Sequence, residues 1–235
     1  MKQIIQLIEE RSKEARKSPF IHWLEDDALP VRDRLSKWLQ GAGIFVFGFS
    51  DLHLMVLPYP RREADSDAFK RAINEHAKED SNHWGWYLSD LKKLGLDNQM
   101  KFDDVLRMLF DNKTYKQRFA IYRLCQLVER ANGDPVLRYC VIKPIEAFGE
   151  IIFGTAARVS KEFEKETGIK LDYLGEVHAQ RESGGLQHDE NAEEAKFLST
   201  ELDATRRQVG MEIATEACDL MEKRWNEFYG WVNGS

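Results

Sequence analysis

The chain has 235 residues, of which 43% are hydrophobic, and its thirteen Phe, seven Tyr and six Trp supply bulk for one well-filled core; nothing marks an internal boundary, so residues 1–235 read as a single domain. A formal charge of −6 with acidic and basic residues interspersed offers no basic stripe for a phosphate backbone, which excludes nucleic acid as an expected partner. Three scattered cysteines, Cys125, Cys140 and Cys218, exclude a disulfide framework and a CxxC zinc site and suit a reducing compartment.

The first element is a helix opening on Ile4, Ile5, Leu7 and Ile8 and running in charge to Lys17, where Ser18-Pro19 ends it. It lacks the apolar core and cleavage site of a signal peptide, so a soluble, cytoplasmic protein is expected. A short helix covers Phe20 to Leu24. Leu29-Pro30 opens a longer one that continues through the glycine-containing run Gly41 to Phe49. That run taken alone could be a buried strand, but the helical pattern resumes at Leu52, Met55 and Val56 and decides for helix. Its glycines would let a neighbouring helix or a bound molecule approach closely. Asp51 and His53 interrupt the apolar run Gly41 to Leu57, which falls short of the ~20 residues of a membrane span, so no membrane partner is expected.

Pro58-Tyr59-Pro60 is a clear break. One helix is expected from Asp65 to Leu94, ended by Gly95, then two more over Phe102 to Phe110 and Tyr115 to Ala131. Asp134-Pro135 restarts the chain with an N-cap and a first-turn proline. The helix beginning there runs to about Thr167, with Gly168 as its C-cap and a kink expected at Pro144. Leu171 to Glu182 is helical in pattern, and Ala192 to Val232 is one long helix or a pair. With no strand alternation and no repeat period, the fold class is all-α, a bundle of about seven or eight helices.

Candidate chemistry gathers on three of these segments. In His76-Ala77-Lys78-Glu79-Asp80-Ser81-Asn82-His83-Trp84, at about 100° per residue, His76, Glu79 and His83 share one sector of a helix with Asp80 beside them. Two imidazoles and a carboxylate can hold a metal ion, though an ordinary polar face has the same composition. His178 and Glu182 stand i and i+4. Glu146 and Glu150 repeat that spacing directly after Pro144, in a stretch where an inward carboxylate is costly unless paired or bound to metal. Helices presenting His and Glu inward are how carboxylate-histidine di-iron sites are built. His22 and His53 lack carboxylates at helical spacing that suggest a site, and both read as packing or surface residues. Glu150 faces solvent or pairs with a base such as Arg158, and His188, in a polar run, would by itself be a surface histidine. No dinucleotide fingerprint, P-loop or nucleophile elbow is present.

The run His76-x-x-Glu79-Asp80-x-x-His83-Trp84-x-Trp86-Tyr87-Leu88-x-Asp90-Leu91-x-x-Leu94-Gly95 resembles the third-helix motif of one branch of the haem-oxygenase-like di-iron oxidases and oxygenases. Val141 to Phe153 is similar to that family's next ligand helix, and Tyr173-Leu174-x-x-Val177-His178-x-x-x-Glu182-x-Gly184 to its last. The resemblance implies a haem-oxygenase-like helical bundle. It implies as metal ligands His83 with an acidic neighbour, Glu79 or Asp80, then Glu146 as a bridging carboxylate, and His178 with Glu182. One departure stands out: the family's Gly-His pair after the last acid reads Gly184-Gly185 here. Either His188 substitutes, or the second metal position is weak or empty.

The activity implied is that of a non-haem di-iron oxidase or oxygenase in natural-product biosynthesis. It would use Fe(II), two ions with the second held weakly, and O2 as co-substrate. Its substrate would be a small organic molecule of the amino-acid or fatty-acid kind. An external electron donor and a homodimer are left open. The rival reading is a small-molecule-binding or metal-independent enzyme on the same fold with an incomplete metal site.

Overall fold

A computed structural model describes residues 1–182 and 190–234; the side chains of Lys113, Glu182 and residues 190–194 lie outside the description. All regular structure among the described residues is helical, and it is divided into more segments than the seven or eight read from sequence.

The bundle is organised on α9 (Pro135–Thr167), the longest helix. Asp134 caps its N-terminus by accepting from Val136 N at 2.9 Å, and Gly168 closes its C-terminus with φ +72°, the left-handed conformation that a glycine adopts without strain. Pro144 lies inside this helix, which continues through it. The missing proline N–H removes the backbone bond to Cys140 O, in the turn that precedes Glu146. Around α9 pack α1 (Lys2–Ala15), α3 (Val31–Asp51), α10 (Glu176–Glu182) and α12 (Ala204–Val232). Ile4, Leu35, Phe148, Phe163 and Ile213 are buried where these helices meet. The C-terminal stretch is a pair, α11 (Glu190–Ser199) and α12.

The ambiguous glycine run is helical, as its flanking pattern implies, and its glycines mark close approaches. A Cβ at Gly41 would stand 2.6 Å from the Trp231 indole, one at Gly43 2.9 Å from the Tyr87 hydroxyl, and one at Gly48 2.8 Å from Ile121. Gly48 meets the branch point of Ile121 on α8 (Asn112–Arg130), which cannot swing aside as a chain end would. Gly48→Ala is therefore expected to destabilise: overpacking costs about 1–3 kcal/mol, against about 1 kcal/mol regained in helix propensity. A lowered urea midpoint with an unchanged slope checks it.

Past Asp51 the helix widens into a π-turn, Leu52–Val56, closed by Leu57 N donating to Leu52 O at 2.9 Å. Together these segments make a continuous helix from Val31 to Val56 that is long and apolar enough to cross a membrane, longer than the apolar run read from sequence. Here it packs against α8, α9 and α12.

The single helix expected from Asp65 to Leu94 is three: α4 (Arg61–Ser66), α5 (Ala68–Asp80) and α6 (Trp84–Lys93). Asp67, extended at φ −135°, ends the first and caps the second, accepting from Phe69 N at 2.8 Å. At the other break, Ser81 Oγ and Asn82 Nδ2 both donate to Lys78 O, at 2.9 and 3.1 Å. Short polar side chains offering the backbone such alternatives end a helix. Residues 171–175 are likewise not helical: α10 begins only at Glu176, because buried Asp90 accepts from Asp172 N at 2.7 Å and Leu174 N at 2.9 Å and holds that segment open. Both corrections reposition histidines.

Candidate metal centre

Three ligand-type side chains converge from two elements. His53 on the π-turn and His76 and Asp80 on the last turns of α5 each offer one donor atom, all lying within 4.8 Å of one another. Asp80 Oδ2 stands 3.3 Å from His53 Nε2 and 3.4 Å from His76 Nε2. His76 and Asp80 are i and i+4, so the helix itself brings them together. His53 arrives from 23 residues before His76, and the π-turn aims it; inserting a residue into a helical turn re-directs the side chains beyond it, and such turns recur at functional sites.

The imidazole of His53 is buried, and its Nδ1 lies 2.9 Å from Phe49 O. That carbonyl can only accept, so Nδ1 carries the proton and the Nε2 lone pair faces Asp80. Burial, and secondarily the neighbouring His76, pushes the His53 pKa down to about 3. The ring is thus neutral near pH 7, the state a metal ligand requires. Its Nε2 has no hydrogen-bond partner among the described residues.

On the other side of Asp80 stands a second imidazole group. The break after α5 puts His83 at the N-cap of α6, with its Nε2 3.8 Å from Asp80 Oδ1. Its ring stacks on Trp86 at 4.9 Å and meets His178 edge-on at 4.6 Å. His83 is buried, and its Nε2 also has no hydrogen-bond partner among the described residues; burial first, and then His178, His53, Arg181 and His76, lower its pKa far below the ordinary value. His178, on the first turn of α10, is held by Tyr173 O 2.8 Å from its Nδ1 and by Phe153, whose ring lies 3.8 Å away. Each oxygen of Asp80 therefore points toward a different set of histidines.

Glu146 reaches the cluster from α9, its Oε1 3.3 Å from His76 Nδ1 and its Oε2 3.4 Å from Lys143 Nζ. With His76 Nε2 turned to Asp80, this places Glu146 where an orienting carboxylate stands behind an imidazole. Glu150, one turn on, is exposed, and Arg158 pairs with Glu25. The structure does not bring Glu79 to the cluster: it forms an ion pair with Arg181, whose guanidinium covers the Trp86 ring. Glu182 ends α10, but its side chain lies outside the described residues, as do Gly184, Gly185 and His188. The sequence reading missed His53 altogether. Its partners are remote in the chain, so no local spacing could have flagged it, and the one available signal was a histidine in an otherwise apolar helical run.

A cavity of about 80 Å³ adjoins the cluster. Asp80, His83 and His178 form its polar wall, and Phe45, Phe49, Phe148 and Phe153 are among its apolar lining. The donor set suits a divalent first-row ion: imidazole nitrogen and carboxylate oxygen are borderline to hard ligands, and no thiolate is present to favour a softer site. Two buried imidazole nitrogens without hydrogen-bond partners among the described residues, His53 Nε2 and His83 Nε2, face one carboxylate and can be satisfied by a cation between them and Asp80. Comparison with family models gives no match, and comparison with curated proteins gives none either.

Proposed function

We propose that this chain is a non-haem iron oxidase or oxygenase of the haem-oxygenase-like kind, acting with O2 on a small, largely apolar substrate bound in the cavity beside Asp80. The observation that carries this reading is the convergence of His53, His76 and Asp80. Two histidines and one carboxylate on one face, with coordination positions left open, make the donor set used for O2 chemistry at non-haem Fe(II). His83 and His178, across Asp80, are the natural donors for a second ion. Iron bound there would supply O2 activation and oxidising power, with the balancing electrons drawn from substrate or an external donor.

The protein's own part is positional. Asp80 holds the two imidazole groups at a shared carboxylate, and the Phe49 and Tyr173 carbonyls fix ring orientation at His53 and His178. Glu146 Oε1 stands 3.3 Å from His76 Nδ1, where a carboxylate accepting from that nitrogen would raise the basicity of the other. Phe49, Phe148 and Phe153 keep water from the face where substrate would lie, which strengthens electrostatic interactions inside. A second reading, a small-molecule-binding protein with an incomplete metal site, is favoured by one observation: Glu79 is committed to Arg181.

Anaerobic Fe(II) titration followed by O2 consumption separates the two. The wild type should bind Fe(II) stoichiometrically and then consume O2. His53→Ala should lose the ion, and Glu146→Gln should bind about 10–100-fold more weakly, as when an outer carboxylate partner is removed. Glu150→Ala should match the wild type. Wild-type protein that retains no Fe(II) would end the metal reading and leave the binding protein.

A further inference from the structure

The apolar cavity carries two polar groups that the metal cluster does not use. Arg224 on α12 and Trp38 on α3 both line it, and both are buried, Arg224 at 4% exposure and Trp38 at 3%. Arg224 Nε and Trp38 Nε1 are N–H donors shielded from water, with no acceptor among the described residues. A buried donor without an acceptor costs about 1–3 kcal/mol, and two lining one cavity need an account.

The surroundings of Arg224 say what is lacking. Its Nη1 donates to Glu227 at 3.1 Å and its Nη2 to Gly41 O at 3.1 Å. The rest of the guanidinium lies on aromatic faces, 3.8 Å from the Phe228 centroid and 5.5 Å from that of Phe45. Despite Glu227, burial lowers the Arg224 pKa to about 10. One carboxylate therefore under-compensates the buried cation, and a guanidinium fork is suited to take a second.

The two donors line the same cavity and share a neighbour, and aromatic rings stand between them and the histidines. Phe228 contacts both: its ring lies 6.5 Å from that of Trp38 and under the Arg224 guanidinium. From Trp38 the path to the cluster runs over Phe153, at 6.1 Å, to His178, at 3.8 Å. From Arg224 it runs over Phe45 and Phe49 to His53, with Phe49 and His53 4.1 Å apart. The cavity thus has a cationic, donor-rich region and a histidine-carboxylate region joined by phenylalanine rings.

We propose that Arg224 and Trp38 form a head-group subsite and that the ligand of this cavity is a small linear carboxylic acid. Its carboxylate is held by the Arg224 guanidinium and the Trp38 indole N–H, and its chain lies along Phe153 toward Asp80, His83 and His178. That the far end of the chain is the oxidised end rests on the function proposed above; the binding subsite does not. Arg224 would then select acids over neutral or cationic molecules of the same length, because only an anion relieves the under-compensated charge.

The test uses metal-free full-length protein and isothermal titration with hexanoate, hexanamide and hexylamine, with circular dichroism verifying the fold of each variant. Hexanoate is expected to bind in preference to both others. Arg224→Gln should weaken it by about tenfold to a hundredfold, the worth of a hydrogen bond to a charged group. Trp38→Phe and Arg224→Lys, which keep the ring and the charge respectively, should each weaken it by about tenfold while remaining folded. Absence of hexanoate binding, equal binding of hexanamide, or unchanged affinity in both milder variants would overturn the subsite. Hexanoate binding by a protein that fails to retain Fe(II) would support the subsite while removing the oxidase reading, so the two fail separately.

Discussion

Asp80→Ala is expected to abolish Fe(II) binding, while Glu79→Ala, one residue away, leaves it within about twofold. Among the described residues Asp80 is the one carboxylate within reach of both imidazole groups, with Oδ2 facing His53 and His76 and Oδ1 facing His83. Removing it deletes the negative charge that offsets a dication and unlinks the two groups. Loss of an outer partner alone costs about 10–100-fold in metal affinity, so loss of a ligand should exceed about a hundredfold. Asp80→Asn, which keeps the shape and drops the charge, should fall nearly as far. Glu79 is held by Arg181, and its removal frees that arginine without touching the donors. Anaerobic equilibrium dialysis with iron analysis reads the result. A Glu79 variant that loses iron while an Asp80 variant keeps it would reverse the assignment the resemblance left open.

The second large effect is on stability against pH in the metal-free protein. His53 and His83 both have folded-state pKa values far below the ordinary ~6.5, because burial disfavours the imidazolium. Above about pH 6.5 both states carry neutral rings and the two residues contribute no pH dependence. Below it the unfolded chain takes up two protons that the native protein refuses. Stability therefore falls as pH falls, by up to about 1.4 kcal/mol per pH unit for each histidine, until the native rings protonate near pH 3 for His53. Burial raises the Asp90 carboxyl pKa, but Asp90 is common to wild type and variants, so the change in the slope of unfolding free energy between pH 6.5 and 5 on replacing each histidine isolates it. His53→Gln and His83→Gln should each remove about one proton from that slope. A wild-type stability independent of pH across the window would show that the two rings are not buried as a neutral pair. Bound metal needs the same neutral rings, and the native protein keeps them neutral across this window, so these two histidines should not weaken metal binding there.

The mixture of success and error in the sequence reading follows from the range of the forces involved. Caps act within one turn, so Ser18-Pro19, Asp134-Pro135 and Gly168 were legible as boundaries, and each stands where it was read. Periodicity likewise carried the glycine run of α3 as helix, and the i, i+4 pairing of His76 with Asp80 is a consequence of helix geometry alone. The break at Ser81-Asn82 was not legible, because it depends on side chains capturing Lys78 O and on Ser50 Oγ donating to Ser81 O at 2.8 Å. Nor was the opening of residues 171–175, which Asp90 imposes from 82 positions away.

For the site, the sequence by itself determined which helices could carry inward histidines and carboxylates, since an isolated charge on an apolar face has few other uses. Only the tertiary structure decided which of them meet. It brought in His53 through a π-turn that no spacing rule predicts, chose Asp80 over Glu79 by giving Glu79 to Arg181, and set Glu146 behind His76. These choices turn on contacts between elements distant in the chain, where a rotation of 100° about a helix axis exchanges one neighbour for the next, and a sequence read one helix at a time contains no information on that rotation.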